Sequence, residues 1–366
     1  MKALILAAGF GTRLEPLTLA VPKPMVLLVN KPIMQHNIEL LKKYGFKDII
    51  ANIHYFPEQV ENFFGDGSPF GARLSYSYEK KLLGTAGGVK RMASILGGID
   101  KTFLVLSSDA LTDINLSHLV SFHKKKKALA TIALAEVSEP SHFGVVITDE
   151  EARIKAFQEK PEKGKALSNL VNSGIYVFEP EILDMIPKEK FYDFGKELFP
   201  LLVEKGEAIY GFPMVGYWSD VGSLSQYWRA NIDALQGRLH IGVPGRRATK
   251  TTWLGKRVKI DKTANFEGPV LVGDRTIIER GVKIKGESVI GDKCIIEEGA
   301  EIKRSILWSD TYVGRGARIE NSVIGSWCYL DDNVKVEEDC IISNRCRISK
   351  GSVILAGTRI KPGNTA

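Results

Sequence analysis

The nineteen residues from 6 to 24 combine flexible backbone with positive charge directly after an apolar segment. They read LAAGFGTRLEPLTLAVPKP and begin at the last residue of KALIL. Gly9 and Gly11 can adopt dihedral angles that other residues avoid, and free N–H groups in such a loop can hold an anion. Arg13 and Lys23 can add charge-assisted hydrogen bonds to phosphate. The whole stretch predicts a phosphate-binding loop, although the glycine pair alone favours an ordinary strand-to-helix turn.

The stretch differs from two common phosphate loops. A dinucleotide-binding loop has the pattern G-x-G-x-x-G, with glycine or alanine at its last position. Gly9 and Gly11 match the first two glycines, but the last position is Leu14 here. The P-loop pattern G-x-x-x-x-G-K-[ST] also fails to match. A phosphate site in this stretch would therefore be of another type.

The elements that must position this loop alternate between strand and helix up to about residue 237. Apolar segments such as KALILAA, KDIIANIHY and TFLVLSSD read as strands, and IMQHNIELLKKYG and TAGGVKRMASILGG carry helical spacing. This alternation predicts an α/β fold with a Rossmann-like, mostly parallel sheet and helices on both faces. Ligands of such sheets bind at the carboxyl ends of strands, where the opening loop and Asp109 both lie.

After a linker at 238–252, rich in Gly, Pro and Arg, an aliphatic or aromatic residue recurs at every sixth position of 253–366. Nineteen positions follow this rule with only two five-residue steps: Leu254, Ile260, Phe266, Val272, Ile278, Ile284, Ile290, Ile296, Ile302, Leu307, Val313, Ile319, Ile324, Leu330, Val336, Ile342, Ile348, Ile354 and Ile360. A hexapeptide period predicts a parallel β-helix whose inward side chains form a continuous core. The pattern resembles the left-handed β-helix family, and three hexapeptides per coil would give about six coils.

The four cysteines all lie in this repeat region, each two residues before a repeat position. They are Cys294, Cys328, Cys340 and Cys346. A corner of the hexapeptide favours a small residue, and cysteine there behaves as a small hydrophobe. No C-x-x-C occurs and no histidine follows His240. Zinc or redox chemistry is therefore not predicted.

Composition and charge exclude several other classes. The 366 residues are 44% hydrophobic and 25% charged, which is typical of a soluble globular protein. With neither an apolar run long enough for a membrane span nor a signal-peptide pattern, we expect a cytoplasmic protein with no membrane partner. Net charge is +7, but the one dense basic run, 124–127, ends a helix-like segment where cations favour the helix dipole. We therefore do not predict nucleic acid as a partner.

Six further motifs occur in the first half. They are LGTAGG at 83–88, SSDALTDI at 107–114, FGVV at 143–146, QEKP at 158–161, VNSGIYVF at 171–178 and YWSDVG at 217–222. With the opening stretch, their order and spacing resemble those of the sugar-1-phosphate nucleotidylyltransferases, also called nucleotide-sugar pyrophosphorylases, over about residues 1–235. FGTRL, PKPM and LGTAG look most like mannose-1-phosphate guanylyltransferases. The resemblance makes 1–237 a catalytic domain, with the linker at 238–252 and the β-helix at 253–366.

The resemblance implies that an NTP and a sugar 1-phosphate give an NDP-sugar and pyrophosphate. The best match is GTP and mannose 1-phosphate giving GDP-mannose. The implied catalytic residues are Arg13, Lys23, Asp109 and Asp220. The implied nucleotide-binding residues are Leu6, Ala7, Ala8, Gly9, Gly11, Thr12, Arg13, Glu79, Leu83 and Gly84.

The same resemblance implies a metal site and a sugar site. Asp109 and Asp220 are the expected ligands of Mg²⁺, which prefers one or two carboxylates together with phosphate oxygens. The expected sugar-phosphate residues are Gly144, Glu159, Lys160 and Asn172. A glycine commonly precedes the metal aspartate in the family, and this chain has Ser108 instead.

Other functions remain open at this stage. The chain could be a glucose-1-phosphate uridylyl-, thymidylyl- or adenylyltransferase, or a regulatory subunit that binds a nucleotide sugar without turnover. An acyltransferase activity of the β-helix is disfavoured, because such enzymes usually employ a histidine base and none follows His240. We expect the β-helix to be structural and to build a homo-oligomer through its exposed coils.

Overall fold

The strand–helix alternation of the first half produces a nine-stranded sheet. The computed structural model describes residues 1–366. Its first thirteen strands are β1 Ala3–Leu6, β2 Leu27–Leu28, β3 Lys31–Pro32, β4 Asp48–Ile53, β5 Arg73–Tyr78, β6 Phe103–Ser107, β7 Leu111–Thr112, β8 Ala130–Glu136, β9 Gly144–Thr148, β10 Ile154–Glu159, β11 Leu170–Phe178, β12 Ile209–Pro213 and β13 Trp218–Ser219.

The α-helices connect these strands. They are α1 Ile33–Lys43, α2 Pro57–Phe64, α3 Gly84–Ile95, α4 Leu116–Lys126, α5 Phe199–Glu204 and α6 Leu224–Leu235. Asn115 caps α4 by accepting hydrogen bonds from the N–H groups of Ser117 and His118. Three lysines of the basic run form the last turn of α4, which confirms that the run is a helix end. No α-helix combines the length and the apolar character that crossing a membrane would need.

The large sheet has the order β10-β9-β11-β6-β1-β4-β5, with β8 beside β11 and β12 beside β8. Strands β6, β1, β4 and β5 are parallel, which confirms the predicted Rossmann-like core. The structure adds an antiparallel part, because β11 runs against β6, β8 and β9. Helix α3 packs on β1, β4 and β5, and α4 packs on β8, β11 and β12.

The repeat region forms three parallel sheets. Their strands are β14 Arg246–Arg247, β15 Thr252–Leu254, β16 Lys259–Ile260, β17 Asn265–Glu267, β18 Val270–Val272, β19 Ile277–Ile278, β20 Lys283–Lys285, β21 Ser288–Ile290, β22 Ile295–Ile296, β23 Glu301–Lys303, β24 Ile306–Leu307, β25 Tyr312–Val313, β26 Arg318–Glu320, β27 Val323–Ile324, β28 Tyr329–Leu330, β29 Lys335–Val336, β30 Ile341–Ile342, β31 Arg347–Ile348, β32 Val353–Ile354 and β33 Arg359–Ile360. Two of the sheets have six strands each, one from every coil. Strand β14 lies within the predicted linker and pairs antiparallel with β15.

Sixteen of the nineteen repeat positions are buried in one hydrophobic core, and Leu254, Ile260 and Phe266 are partly buried and pack against it, so the predicted β-helix core is confirmed. The four cysteines are free, buried and part of the same core. Burial raises the pKa of Cys294 to about 12, so this thiol stays neutral and packs as the sequence predicts.

The chain divides into two compact units that do not follow the linear order. The first unit contains residues 1–10 and 34–220, and the second contains 11–33 and 221–366. The second unit therefore includes helix α6, the β-helix and residues 11–33, which are called the opening loop from here on. The linear division at 237 and 253 remains a prediction about domains.

Within the second unit, one buried tyrosine joins the opening loop to the β-helix. The hydroxyl of Tyr227, on α6, donates to the carbonyl of Leu27 at 2.7 Å. The same oxygen accepts a hydrogen bond from Nε1 of Trp308 at 2.9 Å. Tyr227 is 0% exposed and Trp308 is 2% exposed, so the tyrosine hydroxyl and the tryptophan Nε1–H do not have water as an alternative partner.

Three further hydrogen bonds hold the same loop. The Val29 N–H donates to Oδ1 of Asn231 at 2.8 Å. Nδ2 of Asn30 donates to the Ile290 carbonyl at 2.8 Å. In addition, the hydroxyl of Ser343 donates to the carbonyl of Pro16 at 2.9 Å. The opening loop is thus held along its length by α6 and by the β-helix.

We predict that Tyr227→Phe lowers the free energy of unfolding by about 1–3 kcal/mol. The change leaves the buried Nε1–H of Trp308 without a partner and removes the hydrogen bond to the Leu27 carbonyl. Urea denaturation followed by tryptophan fluorescence measures the effect. Tyr329→Phe is the matched control: Tyr329 is 37% exposed, and its loss should change stability by less than about 0.5 kcal/mol. Equal effects of the two substitutions would contradict the role of Tyr227.

Candidate active site

Two aspartates come together through the pairing of the short strands β7 and β13. The strands are antiparallel, with Ser219 opposite Leu111. Asp220 directly follows Ser219, the last residue of β13. Asp109 lies two residues before Leu111, the first residue of β7. Both carboxylates therefore lie at the same end of this ladder, although 111 positions separate them in the sequence. The structure brings together the two residues that were expected to hold a metal ion.

Asp109 is oriented by a serine that the sequence analysis did not single out. The hydroxyl of Ser107 donates to Oδ1 of Asp109 at 2.5 Å. Ser108, the departure from the family pattern, is 5% exposed. Its N–H donates to the Leu6 carbonyl at 2.9 Å, and its carbonyl accepts from Nδ2 of Asn37 at 2.8 Å. Ser108 therefore fixes the backbone before Asp109 through its main-chain groups.

A chain of buried hydrogen bonds connects Ala7 to Leu83, which belong to two separate segments of predicted nucleotide-binding residues. The Ala7 N–H donates to Oδ1 of Asn52 at 2.7 Å, and Nδ2 of Asn52 donates to Oε1 of Glu79 at 2.7 Å. The other carboxylate oxygen of Glu79 accepts from the Leu83 N–H at 3.0 Å. Asn52 and Glu79 are 3% and 4% exposed. The buried carboxylate of Glu79 thus links two predicted nucleotide-binding segments.

The glycines of LGTAGG make room for neighbouring groups. Gly84 has a φ of +73°, and a Cβ there would lie 2.6 Å from the carbonyl oxygen of Tyr192. A Cβ on Gly88 would lie 2.8 Å from both Oε1 of Glu79 and Nδ2 of Asn52. Both main-chain polar groups of Leu83 have protein partners, since its carbonyl accepts from the Tyr192 N–H at 2.8 Å. These contacts give the motif a structural requirement besides its expected contact with a base.

The predicted sugar residues lie on three neighbouring strands. Gly144 pairs with Glu159 across β9 and β10, and Asn172 lies on β11, which also pairs with β9. A Cβ on Gly144 would be 3.2 Å from Oε2 of Glu159 and 3.9 Å from Cβ of Asn172. Nζ of Lys160 lies 3.8 Å from Oε1 of Glu159. The structure therefore brings these four residues together.

Tyr176 connects this sugar region electrostatically with Asp109. Its side chain is buried on β11, and burial raises the pKa of Tyr176 above its usual range. A hydrogen bond to Asn172 opposes this shift, while the charges of Asp193, Asp109 and Glu159 add to it. The phenol stays neutral at physiological pH and can donate a hydrogen bond among carboxylates.

The end of β1 supplies the remaining residues of the first unit. Leu6 is the last residue of β1, and Ala7 and Ala8 are 5% and 6% exposed. Gly9 has no heavy atom within 4 Å of where a Cβ would stand. Open space beside Gly9 suits the approach of a ligand to the main chain.

The other predicted residues belong to the second unit. Gly11 has a φ of +69°, and a Cβ there would lie 2.8 Å from Cβ of Lys23. Thr12 begins a 3₁₀ turn at Thr12–Leu14. Lys23 is 8% exposed. The requirement for glycine at position 11 therefore comes from backbone conformation and from the close packing of Lys23.

Ser107, Asn52 and Tyr176 are the residues that sequence reasoning missed. SSDAL and VNSGIYVF contain Ser107 and Tyr176, so membership of a motif was the available signal for those two. Asn52 lies within the strand segment KDIIANIHY, where a polar residue in an apolar strand was the only sign.

Two family models match most of the chain. A family model described as "Nucleotidyl transferase" matches residues 2–237. A second model, described as "EIF2B subunit epsilon LbH domain", matches residues 249–354. LbH denotes a left-handed β-helix, so the predicted fold of the repeat region is confirmed.

Similar proteins cover almost the whole chain. A UTP–glucose-1-phosphate uridylyltransferase of Synechocystis sp. is 40% identical over 342 residues, covering 90% of this chain and 88% of that protein. Mannose-1-phosphate guanyltransferase beta-B of Xenopus laevis is 36% identical over 363 residues, covering 97% and 96%. A mannose-1-phosphate guanylyltransferase of Mycobacterium tuberculosis is 33% identical over 343 residues, covering 93% and 83%.

A solved structure shares the fold. The crystal structure of HddC from Yersinia pseudotuberculosis, complexed with GMP-PN, has a TM-score of 0.55 and 23% sequence identity. The matched region covers 63% of the present chain and 97% of the HddC chain.

We predict that Glu79→Gln lowers the free energy of unfolding by about 1–3 kcal/mol. Asn52 and Leu83 both donate to Glu79, whereas one end of a glutamine amide is itself a donor, so one partner would be left unsatisfied. Urea denaturation measures the change.

Glu61→Gln is the control for this experiment. Glu61 is exposed and accepts a hydrogen bond from the hydroxyl of Tyr78, so its replacement should cost less than about 0.5 kcal/mol. A Glu79→Gln protein as stable as the Glu61→Gln protein would show that the buried chain of hydrogen bonds contributes little.

Proposed function

We infer the function from one premise: this chain belongs to the nucleotidyl transferase family, whose model matches residues 2–237. We propose that it transfers a nucleotidyl group from an NTP to a sugar 1-phosphate, giving an NDP-sugar and pyrophosphate. The observation that carries this proposal is the β7–β13 pairing, which places Asp109 and Asp220 at the same end of one ladder. Two such carboxylates suit a metal-assisted transfer between phosphate-bearing substrates.

The leading substrate pair is GTP and mannose 1-phosphate. Relatives named as mannose-1-phosphate guanylyltransferases match from 93% to 97% of this chain, and the opening stretch resembles that subfamily most. UTP and glucose 1-phosphate form the second candidate pair. The 40% identity to a UTP–glucose-1-phosphate uridylyltransferase over 90% of this chain specifically favours it.

The reaction needs positioning and charge neutralisation more than covalent catalysis. An oxygen of the sugar phosphate attacks the α-phosphorus of the NTP, a new P–O bond forms, and the bond to pyrophosphate breaks. Glu159 and Asn172 would bind sugar hydroxyls together with the backbone of Gly144, and Lys160 would bind the sugar phosphate. Gly144, Glu159 and Asn172 lie on the neighbouring strands β9, β10 and β11, and Lys160 directly follows β10.

The nucleotide would be held by main-chain groups and by cations. The backbone from Leu6 to Gly9 and at Gly11 and Thr12 would approach the NTP, and Glu79, Leu83 and Gly84 would face its base. Arg13 and Lys23 would neutralise the triphosphate and the leaving pyrophosphate. The open space beside Gly9 supports a main-chain contact.

Enzymes of this family generally use a divalent metal, and we propose Mg²⁺ for this chain. Asp109 and Asp220 offer oxygen ligands, which a hard cation prefers. When bound, the ion would neutralise charge on the phosphates. The hydrogen bond from Ser107 to Asp109 would orient one of the two carboxylates.

We propose that the protein acts in soluble form in the cytoplasm and that its β-helix builds a homo-oligomer. The stacked coils of the β-helix end in open strand edges, and such ends favour association. Size-exclusion chromatography with light scattering would measure the mass of the particle in solution.

We expect the largest release of pyrophosphate from GTP with mannose 1-phosphate. The test is a matrix of GTP, UTP, ATP and dTTP against mannose 1-phosphate and glucose 1-phosphate, with Mg²⁺ present. Asp109→Asn, which removes the negative charge of one proposed ligand, is the blank. Dominance of UTP with glucose 1-phosphate would establish the second candidate instead. Nucleotide binding with no turnover for any pair would favour a regulatory subunit.

We predict that Ser107→Ala lowers kcat by about tenfold or more, because a hydrogen bond to a charged group is lost. The neighbouring change Ser108→Gly should leave kcat within about threefold, because the hydrogen bonds that hold Ser108 use its main chain. Steady-state kinetics with the best substrate pair measures both. A kcat that falls in Ser108→Gly but not in Ser107→Ala would reverse these assignments.

A further inference from the structure

A cavity of about 710 Å³ lies within the second unit, between the start of α6 and one corner of the β-helix. Four arginines line it: Arg13 from the opening loop, Arg229 from α6, and Arg304 and Arg359 from the β-helix. Asp339 is the one carboxylate in the lining. The volume is in the range of sites that hold small molecules.

The β-helix wall is built from successive coils. Arg304, Asn321 and Asp339 occupy the same left-handed corner position of three coils, with φ of 48°, 43° and 56°. Their side chains therefore stack along one edge at the spacing of neighbouring strands, which is about 4.8 Å. Serine and glutamine side chains of the first turn of α6 face them across the cavity.

The positive charge in this cavity exceeds its negative charge. Arg359 donates to the carboxylate of Asp339 at 2.9 Å, which offsets one guanidinium. The guanidinium of Arg304 lies over the ring of Trp228 at 5.1 Å, and its Nε is 4.0 Å from Oε2 of Glu287. A tryptophan face and a distant carboxylate leave donor groups of Arg304 available to a ligand.

We propose that this cavity is a binding site for a small phosphate-bearing anion. Neighbouring guanidinium groups repel one another, and an anion among them removes that repulsion. The planar fork of arginine matches the oxygens of phosphate and can bind two of them at once. The residues proposed for the sugar and the base are not part of this lining, whereas Arg13 is shared with the proposed nucleotide site.

Sharing Arg13 gives the site a consequence for catalysis, and this consequence rests on the proposed function. An anion in the cavity and the triphosphate of an NTP would draw on the same guanidinium. We therefore expect an anion bound in the cavity to raise the KM for NTP more than it changes kcat.

The binding test uses the full-length protein with two probes, inorganic phosphate and glycerol 2-phosphate, at constant ionic strength set with chloride. Isothermal titration calorimetry gives the Kd of each. In the double variant Arg304→Gln/Arg359→Gln we expect the Kd to rise by about tenfold or more. Tighter binding of glycerol 2-phosphate than of inorganic phosphate would identify an organic phosphate as the ligand class, and the reverse order would identify the free ion.

Arg345→Gln is the matched control. Arg345 also lies over a tryptophan, Trp327, and also has a positive φ, but it is outside the cavity lining. Its variant should bind both probes as the unchanged protein does. Binding that is unaltered in the double variant would overturn the site, whatever reaction the protein catalyses.

The kinetic test compares the KM for NTP with and without the tighter probe. We expect a rise of about threefold or more in the unchanged protein and no rise in the double variant, which retains Arg13 and the other proposed catalytic groups. If the probe binds and the KM stays constant, the shared role of Arg13 is overturned while the binding site stands.

Discussion

The hydroxyl of Tyr227 is the point on which the opening loop depends. It donates to Leu27 of the loop and accepts from Trp308 of the β-helix, and both the tyrosine and the tryptophan are buried. A buried hydroxyl without partners costs much more than a satisfied one contributes. The tyrosine therefore fixes the distance between α6, the loop and the coil that carries Trp308. The β-helix is consequently part of the support of a loop that begins eleven residues into the chain.

The first unit meets a different requirement, because its polar groups must gather at strand ends beneath a ligand. Parallel strands β1, β4 and β5 end beside one another, and residues at or just after their ends are joined by the Ala7–Asn52–Glu79–Leu83 hydrogen bonds. The antiparallel return of β13 to β7 then adds Asp220 to the side of Asp109. Buried amide and carboxylate groups that satisfy one another keep these segments in place without occupying the surface above them.

Most of the fold could be predicted from local sequence patterns. Contacts between residues that are distant in the sequence could not be predicted in this way. A six-residue period is visible along the chain because every coil repeats it, so the nineteen repeat positions could be identified, whereas core residues between them, such as Val282 and Ala317, were not. The role of Asn52 could not, since its partners lie 45 positions before it and 27 after it. Ser107 was hidden for another reason: it precedes the unusual Ser108, and only the direction of its hydroxyl distinguishes the two. Arg13 was predicted as a phosphate ligand, but its place in the cavity lined by α6 and the β-helix follows only from the fold.

The hydrogen bond from Ser343 to Pro16 spans 327 positions of the chain. A ribosome releases residues in order, at about 5–20 per second, so Pro16 emerges many seconds before its partner has been made. The opening loop cannot reach its final hydrogen-bonded state until most of the β-helix has been synthesised. The opening loop therefore lacks this hydrogen bond through nearly all of translation.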